Sequence, residues 1–64
     1  MREQELWRRL NRHLGAGTVP SWVEHVVLGE LDNRTVREAM DAGVPYRDVW
    51  LAVWRFLELP DSDR

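Results

Sequence analysis

Apolar residues near the start of the chain recur at the spacing of one helix face. They lie at positions i, i+1, i+4 and i+8, and the set is Leu6, Trp7, Leu10 and Leu14. Glutamates lie near the start of this segment and arginines near its end, which complements the helix macrodipole. The pattern predicts an amphipathic helix over residues 2–14, ended by the glycines of residues 15–17.

A second apolar segment covers a wider arc. Its start has the form of a capping box, with Ser21 as the cap and Glu24 three residues later. The apolar residues that follow are Trp22, Val23, Val26, Val27, Leu28 and Leu31. They cover more than half of a helical circumference, which predicts a central helix with neighbours on two sides. Asp32 and Asn33 then form a turn.

The second half of the chain predicts two helices that meet at a corner. Thr35 and Glu38 form another capping box, which opens a short helix that stops at Gly43. Pro45 suits the first turn of the last helix, which we expect to reach about Leu59.

Together these segments predict an all-α fold. Three to four helices pack as a compact bundle in a single domain over residues 1–60, and residues 61–64 form a disordered tail. The chain has 64 residues and no cysteine, so its small core must depend on four tryptophans and on leucine and valine.

The predicted corner has the spacing of a DNA-binding helix-turn-helix. That motif needs a small residue, a turn glycine and an apolar residue, and Ala39, Gly43 and Val49 occupy these positions. Any tight helix pair makes the same demands. Acidic residues match arginines in number over residues 35–57, and the outer face of the last helix has no amide side chain to read bases. We therefore favour a plain helical corner over a DNA reader.

The last helix has an apolar inner face and a mixed outer face. The residues that point inward with Val49 are Tyr46, Trp50, Val53, Phe56 and Leu57. The candidate partner-binding residues on the outer face are Arg47, Leu51, Trp54 and Arg55. An exposed tryptophan beside arginine is typical of a protein-interaction hot spot. In a second interpretation, which stays open, Trp54 folds back over the first helix as a lid on the core.

All nine basic residues are arginine, and the formal net charge is −2. This charge argues against a protein that holds phosphate by bulk electrostatics. A candidate basic patch nevertheless lies on the first helix at Arg8, Arg9 and Arg12. It suits contact with nucleic acid or with an acidic partner, but a solvated face balanced by Glu5 is the favoured interpretation.

The sequence offers no constellation for catalysis. His13 and His25 lie in different predicted helices with no carboxylate at zinc-ligand spacing, and Ser21 and Thr35 are explained as caps. We expect a non-enzymatic protein with no catalytic residue, no cofactor and no metal site. No apolar run approaches the roughly 20 residues of a membrane span and the first segment is charged, so we expect a cytoplasmic protein without a membrane span.

Three segments, MREQELWRRL, RTVREAMDAGVPYRDVWLAV and LELP, resemble a family of short actinobacterial proteins catalogued as domain of unknown function 3046. The resemblance covers residues 1–60 and implies a small helical cytoplasmic protein. Members are often encoded close to the genes for the recombination strand-exchange protein and its regulator, which implies a link to DNA recombination or repair. The family usually has a glycine pair where Asp32 and Asn33 stand. A cysteine is common there in place of Trp54, which favours the lid interpretation.

Two functional hypotheses follow from the sequence. The first is a protein-interaction module that binds a partner through the outer face of the last helix, aided by the arginines of the first helix. Self-association through Leu51 and Trp54 is a variant of it. The alternative is a helix-turn-helix-like DNA-binding protein, in which a dimer would collect enough positive charge.

Overall fold

Four α-helices and one pair of short antiparallel strands form the fold in the computed structural model, which describes residues 1–64. In chain order the elements are α1 (Glu3–Leu14), α2 (Val19–His25), β1 (Val27–Leu28), a 3-10 turn (Gly29–Leu31), β2 (Arg34–Thr35), α3 (Val36–Asp41), α4 (Tyr46–Phe56) and a final 3-10 turn (Asp61–Asp63). The domain measures 26 × 24 × 21 Å.

The first helix agrees with its amphipathic pattern. Leu6 and Leu10 are fully buried, whereas Arg8 and Arg12 face solvent. The helix ends at Leu14, where the glycine-containing segment begins. Local periodicity is sufficient to place this element because one side of it packs on the core and the other side does not.

The second predicted helix is wrong beyond His25. Ser21 lies inside α2, and Thr18 occupies the N-cap position without a side-chain hydrogen bond, so the Ser21–Glu24 capping box does not form. After α2 the chain becomes extended, which β-branched residues favour. Residues of β1 and β2 pair in the register Val27↔Thr35 and Leu28↔Arg34. The fold is therefore mostly helical with a small two-stranded sheet, and the all-α class is corrected accordingly.

A left-handed turn joins the two strands. Asp32 and Asn33 have φ angles of 58° and 60°, and the Asn33 amide donates to the Leu28 carbonyl oxygen over 3.2 Å. Aspartate and asparagine tolerate this conformation better than other non-glycine residues. The turn predicted at these two residues is confirmed.

Thr35 ends β2 and caps α3. Its hydroxyl accepts a hydrogen bond from the Glu38 amide at 3.1 Å, and its own amide donates to the Glu38 carboxylate at 2.9 Å. The capping box predicted at these residues is confirmed. At the corner that follows α3, Gly43 has a φ of 83°, which suits a residue without a side chain.

The last helix is shorter than predicted. It ends at Phe56, and Glu58 adopts a left-handed φ of 54° just beyond it. Pro60 then follows, and a proline cannot continue helical hydrogen bonding. The chain therefore turns back before Leu59, the end expected from sequence.

The core is centred on Trp50, the largest fully buried side chain. The other buried apolar residues come from every helix and from β1, and they are Leu6, Leu10, Val19, Val23, Leu28, Leu31, Val36, Ala39, Val49, Ala52 and Val53. Phe56, expected to point inward, is instead 52% exposed. It is the last residue of α4, at the end of the helix.

We predict that Thr35→Ala destabilises the domain through loss of the α3 cap. The free energy of unfolding should fall by about 1 kcal/mol, which lowers the Tm of a domain this size by roughly 4–8 °C. Thermal unfolding followed by circular dichroism measures the change. Ser21→Ala is the matched control, because the Ser21 hydroxyl caps no helix. Equal Tm values for the two variants would contradict the assignment.

Candidate functional site

The four candidate partner-binding residues of α4 do not form one free face. Arg47 Nη1 donates to the main-chain oxygen of Arg64 at 2.8 Å, and Trp54 Nε1 donates to the Pro60 oxygen at 2.9 Å. Leu51 is half-buried. The segment after α4 therefore contacts the side of this helix that carries Arg47 and Trp54, although Arg47 stays exposed.

Residues 61–64, for which the sequence predicts a disordered tail, include the 3-10 turn Asp61–Asp63 and contact α1 and α4. Trp50 Nε1 donates to the main-chain oxygens of Asp63 and Arg64 at 3.2 and 3.1 Å, and Arg9 Nη1 donates to the Arg64 oxygen at 3.0 Å. The Arg64 guanidinium lies 5.3 Å from the centre of a Trp54 ring. Trp54 is thus half-buried, packed against the core and in contact with this tail.

The candidate basic patch forms one wall of a polar cavity. Arg8, Arg9 and Arg12 contribute to it from α1 together with Glu5 and His13, and residues 62–64 form the opposite wall. The cavity has a volume of about 160 Å³ and no hydrophobic lining residue. We call it the arginine cavity. Its position brings the predicted patch together with the C-terminal turn, a proximity that sequence spacing could not reveal.

The carboxylate of Glu5 balances only part of the charge in this cavity. It accepts hydrogen bonds from Arg8 at 2.6 Å and from Arg9 at 3.0 Å. The hydrogen bond from Arg9 is the main reason that the pKa of the Glu5 carboxyl lies below its ordinary value of 4.5. No side-chain hydrogen bond or ion pair involves Arg12. Its guanidinium is therefore free to meet a ligand.

Trp50 lies behind two side chains of the arginine cavity. His13 stacks on this indole with ring centres 5.8 Å apart, and the Arg9 guanidinium lies 5.5 Å from an indole ring centre. These contacts hold two of the cavity side chains against the largest fully buried side chain of the core. A change in the position of Arg9 or His13 therefore alters the surroundings of the Trp50 indole.

A second depression lies at the end of α4. It has a volume of about 290 Å³, and its lining residues are Leu28, Gly29, Glu30, Ala52, Arg55 and Phe56. We call it the Phe56 groove. Arg55 donates to Glu30 across its rim at 2.9 Å. The exposed Phe56 ring meets Trp22 edge-on, with ring centres 6.0 Å apart.

Of the candidate partner-binding residues, only Arg55 lines the Phe56 groove. The sequence analysis missed Phe56 because helical phase places it on the same face as Val49, which was expected to point inward. One signal was present: Gly29 directly follows two valines and a leucine, and such a run is typical of a strand that ends at a glycine.

A polar link joins α1 to α4 on another part of the surface. Trp7 Nε1 donates to Glu3 Oε2 at 2.9 Å, and the Tyr46 hydroxyl donates to Glu3 Oε1 at 3.1 Å. The hydrogen bond from Trp7, followed by that from Tyr46, lowers the pKa of the Glu3 carboxyl below 4.5. The same bond to Glu3 raises the pKa of the Tyr46 hydroxyl above 10.0.

No group of three or more histidine, cysteine, aspartate or glutamate side chains is placed to hold a metal ion. His13 stacks on Trp50, whereas His25 is exposed and lies 3.0 Å from the Ser21 carbonyl oxygen through Nδ1. Crossing a membrane takes a longer and more apolar helix than any found here.

We predict that Glu3 contributes a pH-dependent part of the stability. Its pKa is lowered in the folded state, so its contribution is present above pH 4.5 and is lost as the pH falls through the folded-state pKa. Thermal unfolding of the wild type and of Glu3→Gln should therefore differ at neutral pH and converge in acid. Glu58→Gln removes the same charge without breaking a side-chain hydrogen bond and serves as control. A constant difference between Glu3→Gln and the wild type at every pH would refute the link.

Comparison with known proteins gives one match. No curated protein and no solved structure matches the chain significantly. A family model described as protein of unknown function (DUF3046) matches residues 1–62. This match includes α1, the strand pair, the corner and all but two residues of the C-terminal segment. The chain therefore belongs to the DUF3046 family.

Proposed function

We propose that this domain is a non-enzymatic protein-interaction module whose partner binds in the Phe56 groove. The observation that carries the proposal is the exposure of Phe56, which leaves 52% of its surface in solvent although the domain has a small core and few apolar residues to spare. An aromatic side chain held on a rigid element and open to solvent is typical of an interface anchor.

The anatomy of the groove supports a protein partner. Its apolar wall comes from Leu28, Ala52 and Phe56, and its polar rim comes from the Glu30–Arg55 ion pair. An apolar centre with a charged rim is the usual arrangement of a protein interface. The volume of about 290 Å³ suits one or two side chains of a partner and lies just below the range of small-molecule sites.

The Trp22–Phe56 pair strengthens the anchor. The edge-on contact restricts the Phe56 ring before a partner arrives, so less side-chain freedom is lost on binding. Trp22 belongs to α2 and Phe56 to α4, so the surface is built by two helices and does not depend on one flexible segment. The proposed interface therefore includes Arg55, which the sequence also predicted as a partner-binding residue, and it is centred on Phe56 instead of Trp54.

Direct DNA binding is the second candidate. It is favoured by the corner, where Ala39 and Val49 are fully buried on either side of Gly43, as the helix-turn-helix spacing requires. It ranks second because Arg47 and Arg55, the two arginines of α4, already donate to Arg64 and Glu30. We propose that the link to DNA recombination implied by the family resemblance runs through a protein partner.

We predict that Phe56→Ser abolishes partner capture and that Val27→Ser does not. Val27 is the matched control because it is equally exposed, at 52%, and does not line the groove. Immobilised wild type and variants are compared in cell extract at low and high salt, with bound proteins quantified by mass spectrometry. Proteins that depend on the groove should be retained by the wild type and Val27→Ser at both salt concentrations. Their retention by Phe56→Ser should fall about tenfold or more.

Three further results would redirect the proposal. Equal retention by Phe56→Ser and the wild type would remove the groove as the docking site. A dimer in sedimentation that is lost in Phe56→Ser would make a second copy of this chain the partner. Labelled duplex DNA that binds at about 50 mM salt, releases at about 200 mM and is lost with Arg47→Ala would support the DNA-binding candidate instead.

A further inference from the structure

We propose that the arginine cavity is a binding site for a phosphate-type anion. This inference is independent of the proposed protein-interaction function, because no residue of the cavity lines the Phe56 groove. The cavity lies between the exposed side of α1 and the C-terminal 3-10 turn, and every residue that lines it is polar or charged.

The arginine cavity has an excess of positive charge. Three arginines of α1 line it, and they are Arg8, Arg9 and Arg12, whereas the guanidinium of Arg64, which also lines it, lies against Trp54. Only two acidic residues, Glu5 and Asp63, line it with them. The chain as a whole has a net charge of −2, so this local excess of positive charge stands out from its surroundings. An excess of this kind attracts anions.

The guanidinium donors of the cavity are only partly used within the domain. Arg8 and Arg9 share the single carboxylate of Glu5, so one acidic group serves two guanidinium groups. Arg12 takes part in none of the domain's side-chain ion pairs. Each guanidinium offers five N–H donors, so several donors stay free to face a ligand.

The size of the arginine cavity suits a small anion. Its volume of about 160 Å³ leaves room for one phosphate group with part of its hydration shell. Guanidinium forks match the oxygen geometry of phosphate and bind it in a bidentate manner, which favours phosphate over chloride.

The site carries its own spectroscopic reporter. Arg9 and His13 both contact the Trp50 indole, and the indole N–H donates to the two main-chain oxygens of the opposite wall. An anion that draws Arg9 or Arg12 toward it changes the surroundings of this N–H group. The Trp50 Nε1–H resonance is thus the natural probe of occupancy.

The test is a titration of the 15N-labelled chain with inorganic phosphate at constant ionic strength, maintained with sodium chloride. We expect a saturable shift of the Trp50 Nε1–H resonance and of the amides around Arg12. In Arg12→Gln the affinity should fall about fivefold, the effect of one partly exposed charge-assisted hydrogen bond. Arg34→Gln is the matched control, because Arg34 is exposed, lines no part of the cavity and carries the same charge.

Three results would overturn the site. The first is a shift that does not saturate with phosphate, and the second is a shift that chloride or acetate reproduces. The third is a phosphate affinity that falls equally in Arg12→Gln and Arg34→Gln. If Arg12→Gln fails to fold, Arg8→Gln replaces it, since 73% of the Arg8 side chain is exposed.

A parallel titration with phenyl phosphate distinguishes an esterified phosphate group from the free anion as the ligand. Tighter binding than inorganic phosphate assigns the site to an esterified phosphate group, and weaker binding assigns it to the free anion.

Discussion

The complete burial of Trp50 is the constraint on which the rest of this structure depends. Its indole is fully buried, and its N–H group must find an acceptor, because a buried donor without one costs about 1–3 kcal/mol. The acceptors are the main-chain oxygens of Asp63 and Arg64. The requirement of one side chain therefore fixes where the C-terminal segment lies, and His13 and Arg9 contact the same indole.

Two surfaces of different chemistry result from this arrangement. The C-terminal segment covers the side of α4 that carries Arg47 and Trp54 and closes the arginine cavity against α1. The end of α4 at Phe56 has no such cover and forms the apolar groove with β1 and the 3-10 turn Gly29–Leu31. No residue lines both the arginine cavity and the Phe56 groove, so the proposed phosphate ligand and the proposed protein partner would not compete for the same residues.

The sequence predicted those elements whose formation depends on residues close together in the chain. Periodicity placed α1, the Thr35 cap placed α3, and Asp32 and Asn33 placed the turn. The extension of α2 failed because pairing of Val27 with Thr35, eight residues later, outweighed the apolar pattern. The groove was missed because helical phase placed Phe56 on the inward face of α4. The position of residues 61–64 has no signal in the sequence, because these residues are bound through main-chain oxygens, which every sequence possesses.

Thr35 couples the strand pair to the corner, because it pairs with Val27 in the sheet and caps α3 with its hydroxyl. A register slip of one residue would bring Val27 into the core and turn Leu28 out to solvent, since successive strand residues face opposite sides. It would also withdraw Thr35 from the cap. The same strand register therefore places Leu28 in the apolar wall of the groove and Thr35 at the cap of α3, which leads into the α3–α4 corner. A change of register would disturb both. Two residues per strand suffice because each strand is fixed at one end by a helix.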